Sequence, residues 1–292
     1  MTLALRVPGS CGELAQGVVD GVRLHISCPV DRYTYFLGNR RGPSFISRGW
    51  KSRQVLFLSE KAGFPSLTRP HCFYSDLPVG KGMASSTADM AAVLWFAGKK
   101  AGIALAPEEV GRFLQSIEPT DGVIFPGIVL YDHFRGKHLS RLGDPPPLDI
   151  VAVDFGGEVD TVAYNQRDFK KISRGQTGSV LRAFHLIREG IRESSIFKIG
   201  EGATISALAH QNILRKPCLE KILKITFDLG GVGVNVAHSG SMIGMLFRPG
   251  SSNLDLIREA VRTAVKVPFT LSRLRLRGGG PEWFEPSGGE ES

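Results

Sequence analysis

The segment Leu77-Pro-Val-Gly-Lys-Gly-Met-Ala-Ser-Ser-Thr-Ala-Asp89 gathers residue types that can bind an anion. Glycine lets the backbone come close to a ligand, and N–H groups at the start of a helix point towards negative charge. Gly80 and Gly82 supply the bend, Ser85 and Ser86 put hydroxyls where a helix begins, and Lys81 adds positive charge. Such a loop suits phosphoryl transfer, which asks mainly for positioning and for neutralisation of the phosphate oxygens. Either serine could cap the helix or reach a magnesium ion riding on a polyphosphate. A glycine-rich turn before a capping serine is also an ordinary structural device, so the loop needs company. Two large nucleotide-binding classes are excluded, because neither G-x-x-x-x-G-K-[ST] nor G-x-G-x-x-G occurs.

Other chemistry-bearing residues carry less. Cys11, Cys28, Cys72 and Cys218 are scattered with no C-x-x-C pair, which fits reduced thiols and predicts neither disulfides nor a structural metal. Cys11 has no base placed beside it by the sequence, so it is not read as a nucleophile. His133 and His138 flank Arg135-Gly-Lys137 in an expected hairpin and are read as solvated turn residues. His238 is read as packing or hydrogen bonding.

With 292 residues, 42% of them hydrophobic and 22% charged, the chain can build a sizeable core as one large or two ordinary domains. The net charge of +8 is spread out rather than gathered in a run with aromatics, which speaks against nucleic-acid binding and suits a cleft for polyphosphates. The apolar run from Ala91 to Ala97 is too short to span a membrane. No signal-peptide pattern opens the sequence, so a cytoplasmic location is expected.

Position is then a matter of elements. Leu3 to Val7 and Val18 to Phe36 read as several short strands, Asn39 to Trp50 as a loop, and Val55 to Ser59 as a strand. Thr87 to Lys100 reads as a helix with an acid in its first turn and lysines in its last. A second helix runs from Pro107 to Glu118, and Gly127 to Tyr131 forms a strand. Asp144-Pro-Pro-Pro147 reads as an interdomain hinge, dividing the chain into residues 1–146 and 147–292. Beyond it come a strand at Asp149 to Phe155 and helices around Ser179 to Ile191, Ala203 to Leu214 and Cys218 to Phe227. A strand pair within Val232 to Phe247, a helix from Asn253 and a strand at Ser272 to Arg277 with one wet face follow. The tail from Pro286 to Ser292 is expected to be disordered. The mixture in both halves implies α+β architecture.

Pro78-Val-Gly-Lys-Gly-Met-Ala-Ser-Ser-Thr-Ala88 resembles the P-x-x-x-G-L-x-S-S-A loop of the GHMP kinases, with Met83 and Thr87 where Leu and Ala are usual. Val7-Pro-Gly-Ser-Cys-Gly-Glu13 resembles that family's first motif and Gly233-Val-Asn-Val-Ala-His-Ser-Gly-Ser-Met-Ile-Gly244 its third. The resemblance implies a two-domain α+β fold with a ferredoxin-like C-terminal domain and an ATP- and Mg2+-dependent kinase. The nucleotide would be gripped by Pro78, Val79, Gly80, Lys81, Gly82, Met83, Ala84, Ser85, Ser86 and Thr87.

Pro29-Val-Asp-Arg-Tyr33, Glu118-Pro-Thr-Asp-Gly122 and Phe155-Gly-Gly-Glu-Val-Asp-Thr161 are similar to the branch of that family that phosphorylates L-threonine on the way to cobalamin. That likeness implies Asp121 as the catalytic group and Ser86 with Glu118 as magnesium ligands. It also implies Ser10, Glu13, Thr161 and Arg167 around the substrate, with Glu13 on the ammonium. Arg174 or Arg215 could replace Arg167 on the carboxylate. Asp121 as a turn aspartate, Glu118 as a solvated helix-end acid and Glu13 as a loop acid are the plain alternatives. Homoserine or another small hydroxy compound is the rival substrate. A non-catalytic ligand-binding relative is the rival class, and a homodimer stays open.

Overall fold

The computed structural model describes residues 3–38, 50–65, 67, 71–157, 175–238 and 240–285. Thr161, Arg167, Arg174 and Ser239, the 39–49 loop and the 286–292 tail lie outside the described residues.

β1 (Ala4–Val19) and β2 (Val22–Gly38) form one long antiparallel hairpin rather than several short strands. Its turn residues, Asp20 and Gly21, both have positive φ (49° and 76°), which matches the twist of the flanking strands. The pairing register shifts between Pro8 and Ser10, Ser10 and Glu13, and Glu13 and Ala15. These irregularities fall on Gly9-Ser10-Cys11-Gly12-Glu13 and bend the strand where the first motif lies.

Residues 50–61 form a helix, α1 (Trp50–Lys61), where the sequence predicts a strand over Val55 to Ser59. The apolar run there has strand propensity, but Ser52, Val55 and Ser59 fall on one helical face and are buried. β3 (His71–Ser75) pairs with β2.

α2 (Ser85–Lys100) is the central helix, buried along almost its whole length. It is apolar all round because α1, β1 and β2 enclose it, and Phe96 stacks on Phe36 of β2 at 4.0 Å. Asp89 lies in its second turn rather than its first, buried and accepting a 2.5 Å hydrogen bond from the Thr34 hydroxyl. α3 (Pro107–Gln115) ends before Glu118, because Ser116 and Ile117 donate to carbonyls three residues back and tighten the last turn.

β4 (Ile128–Asp132) and β5 (Lys137–Gly143) make a hairpin, and the proline run joins β5 to β6 (Asp149–Asp154). Next come α4 (Thr177–Arg192), α5 (Ile196–His210) and α6 (Leu219–Asp228). α5 starts well before Ala203, because Ser195 caps it by accepting from the Lys198 N–H. β7 (Gly233–Val236), β8 (Met242–Phe247), α7 (Leu254–Ala264), β9 (Thr270–Arg275) and β10 (Glu282–Phe284) complete the chain.

The strands join in one sheet of order β5-β4-β2-β1-β7-β8-β6-β9, with β3 beside β2 and β10 beside β1. The two halves meet at β1 and β7, where Glu13 pairs with Val236. One core packs around α2 and a second lies between the β6–β8 strands and α6 and α7. Leu274 and Leu276 are buried while Arg273 and Arg275 are exposed, as the alternation implies. Among the described residues no helix is long and apolar enough to cross a membrane.

Candidate active site

The three motifs meet at the N-terminus of α2. Gly80 (φ 76°), Gly82 (φ 83°) and Ala84 (φ 53°) all take left-handed backbone, which coils the loop tightly. The first motif clamps it: Ser10 N–H donates to Met83 O at 3.0 Å and Gly12 N–H to Gly82 O at 3.2 Å. The third motif closes the other side. A side chain on Gly82 would place its Cβ 2.4 Å from that of Ala237, and one on Gly240 would meet the Lys81 carbonyl at 2.2 Å. The Lys81 side chain turns away to the Gly157 carbonyl (3.0 Å) and Asp154 (3.3 Å).

The helix start is occupied by Ala84 with no side-chain cap, so neither Ser85 nor Ser86 caps it. With no cap, the first-turn N–H groups face the loop, where an anion can take them. The Ser86 hydroxyl instead donates to Glu118, whose other carboxylate oxygen pairs with Lys51 of α1.

A cavity of about 210 Å³ opens against this helix end, lined by residues 82–87, residues 118–121, Glu13 and three histidines. A second, of about 180 Å³, shares Lys51, Val79, Ser85 and Ser86 with it and is bounded by the exposed Trp50.

Asp121 precedes the 3-10 turn Gly122–Ile124, whose Val123 N–H it caps at 3.1 Å. The Ser27 hydroxyl donates to the same oxygen at 2.5 Å. Burial pushes the Asp121 carboxyl up to about 6, against these two hydrogen bonds. Glu13 is buried and accepts from the His238 N–H at 2.7 Å. Burial, then repulsion from Asp121, hold its carboxyl well above the usual range, while the His238 bond and Lys216 pull the other way. Buried Glu13 and half-buried Asp121 face one cavity, and a cation entering between them would favour their ionised forms.

His25, His133 and His238 line the wall, with His25 and His133 stacked at 4.9 Å and His238 edge-on to His133 at 4.9 Å. His133 lies in a turn as expected, directly after β4, but is not solvated: it is 6% exposed, because its ring stacks on His25 of β2. His138 packs on Phe125 at 4.8 Å, away from the cavity wall. Among the described residues, Glu13, His25 and Asp121 are the group whose ligand atoms lie close enough to hold one cation, all within 4.8 Å.

The structure thus brings Glu13, residues 82–87, Glu118 and Asp121 to one cavity, with Val79 and Gly80 at its edge. Ser10 is fully buried and clamps the loop from behind rather than lining the cavity, and Arg215 is exposed and off its wall. Lys51, His25, His133 and Lys216 escape sequence reasoning. Lys51 sits in a helix read as loop and strand, while an inward strand position alone marks His25.

The pattern of the GHMP kinases N terminal domain matches residues 52–125. The L-threonine kinase of Salmonella typhimurium is 32% identical over 243 residues, 82% of this chain and 81% of that protein. The L-threonine kinase of Citrobacter freundii is 30% identical over 254 residues, 86% and 88% of the two chains. Among solved structures, homoserine kinase from Cytophaga hutchinsonii superposes with a TM-score of 0.68 at 16% identity, covering 97% of each chain. Fold, loop and cavity define a small-molecule kinase. The chain belongs to the GHMP kinase family, with the α+β fold expected of it.

Proposed function

We propose that this protein transfers the γ-phosphoryl group of ATP to the side-chain hydroxyl of L-threonine, giving O-phospho-L-threonine for cobalamin biosynthesis in the cytoplasm. The observation that carries the reading is the placing of Asp121 and Glu13 in one cavity against the uncapped start of α2. The identity to two L-threonine kinases over most of the chain supports the substrate. Residues 1–146 and 147–292 act in this reading as two lobes.

The residues have distinct tasks. The loop from Pro78 to Thr87 takes the phosphates with backbone N–H groups, and the adjoining apolar walls of Trp50 and Val79 suit a purine. Ser86 and Glu118, hard oxygen donors already in contact, fit a magnesium ion. Such an ion neutralises charge on the phosphate oxygens. Asp121 orients the acceptor hydroxyl and takes its proton as the O–P bond forms. Glu13 binds the substrate ammonium, while Arg167 is assigned to the carboxylate and Thr161 to the substrate pocket from the sequence.

Threonine-dependent ADP release tests the reading, with mass spectrometry of the products across a panel of hydroxy amino acids. Phosphothreonine is expected from wild type, and Asp121→Asn should lose about 100-fold or more in kcat. Release with homoserine alone would move the substrate to the rival compound, and no release with either would end the proposal.

A further inference from the structure

His25 is one of three histidines in the cavity wall that this reaction scheme leaves without a task. It is 2% exposed, yet neither ring nitrogen has a hydrogen-bond partner. A buried polar side chain left unpaired in a cavity wall points to a partner that arrives with the ligand. The ring is held in place by stacking on Tyr131 (5.6 Å, 25° between planes) and His133 (4.9 Å, 18°). Strand pairing of His25 with Tyr131 fixes the backbone beneath it.

We propose that His25 is a specificity-determining residue, completing with Glu13 a cradle for the primary ammonium of the substrate, in which Asp121 bridges the ammonium and the hydroxyl on the adjacent carbon. The inference rests on the kinase reading above and deepens it by naming what selects an amino acid over a plain hydroxy acid.

The geometry and the chemistry of the donor set agree. Ligand atoms of Glu13, His25 and Asp121 all lie within 4.8 Å of one another. A primary ammonium holding three tetrahedral acceptors at about 2.9 Å spreads them about 4.7 Å apart, a separation that falls inside this limit. All three groups are acceptors. Burial pushes the His25 imidazole down to about 3, so the ring is neutral and keeps a lone pair for an N–H donor. Lys216, the nearby cation facing Glu13, donates to the Gly240 carbonyl and leaves the cradle to the substrate. An ammonium brings three donors and one positive charge to two carboxylates whose surroundings disfavour the charged form.

The test compares L-threonine with 3-hydroxybutyrate of the same carbinol configuration, which lacks only the amine. Kinetics are measured for wild type, His25→Phe, which keeps a stacking ring and removes the acceptor, and His25→Asn, which restores a shorter one. Wild type is expected to prefer threonine strongly. His25→Phe should cut threonine kcat/KM by about 10- to 100-fold, chiefly through KM, so that the preference collapses, with part of it recovered in His25→Asn. If His25→Phe does not fold, His25→Asn carries the comparison and should show a reduced preference.

A parallel loss on both substrates would make His25 a packing residue and overturn the proposal, as would an unchanged preference. Stoichiometric zinc in wild type by atomic emission, absent from His25→Phe, would overturn it in favour of a metal. Wild type inactive on threonine and homoserine alike would instead bring down the kinase reading and this inference with it. Activity on threonine with the preference intact in His25→Phe brings down this inference alone.

Discussion

The backbone N–H of Asp121 donates to the Thr87 hydroxyl at 3.1 Å, which ties the loop carrying the proposed base to the first turn of α2. The turn that holds the phosphates thereby sets the place of the group that faces the acceptor hydroxyl. Thr87→Val keeps the shape and removes the acceptor. The variant is expected to fold and to lose about five- to tenfold in kcat, the worth of one buried hydrogen bond. An unchanged kcat would show that Ser27 and Val123, which also bond to Asp121, position it alone.

The Asp121 carboxyl, raised by burial to about 6, must be ionised to accept a proton. kcat/KM should therefore rise with pH through about 6 and level off above it. Stability has the opposite sign. Between 3.8 and about 6 the native state binds more protons at this group than the unfolded chain, so stability falls as pH rises through that window. Asp121→Asn carries no charge at any pH. Its melting temperature should gain on wild type between about pH 4 and about pH 7, and a gap constant with pH would refute the assignment.

Two glycines at similar backbone angles separate strain from contact. Gly82 (φ +83°) has Ala237 Cβ 2.4 Å from where its own Cβ would lie, whereas Gly102 (φ +72°) has nothing within 4 Å. Gly102→Ala should cost about 1 kcal/mol in stability through left-handed strain and leave activity intact. Gly82→Ala adds a collision that must displace the loop from the third motif, and should lose about 100-fold or more in kcat/KM, an angstrom-scale misplacement. Equal activity in the two variants would mean that the loop has more freedom than its packing implies.

Much of this site is legible in the residue order because the loop, the first motif and the Glu118-Pro-Thr-Asp121 turn each keep their function-bearing atoms within a few residues. The α2 pattern is equally local, and its buried helix follows from an unbroken apolar run. What escapes is set by distant packing. Val55 to Ser59 has strand-forming residues, and only their burial on one face makes them helical. The serines that read as caps lose that role because the motifs on either side force Ala84 into the left-handed region. His133 reads as solvated since nothing local reveals that His25, far away in the chain, stacks on it. Lys51 of α1 reaches Glu118 just beyond α3, a pairing no spacing announces.

Glu13 offers a measurement that reports on the acceptor side directly. It is 5% exposed, and burial together with Asp121 holds its carboxyl well above the usual range, so the unliganded protein keeps part of a proton there. A cation docking against it favours the ionised form, and the proton must leave. Calorimetric titration with L-threonine in buffers of different ionisation enthalpy should therefore show net proton release near neutral pH, up to about one proton per site. Glu13→Gln should abolish the release and weaken binding by about 10- to 100-fold, since one charge-assisted hydrogen bond is lost. 3-Hydroxybutyrate, with no ammonium, should bind without release. Threonine binding that moves no protons in any buffer would mean that Lys216 and the His238 N–H already hold Glu13 ionised, and the ammonium would then have to be placed elsewhere in the cavity.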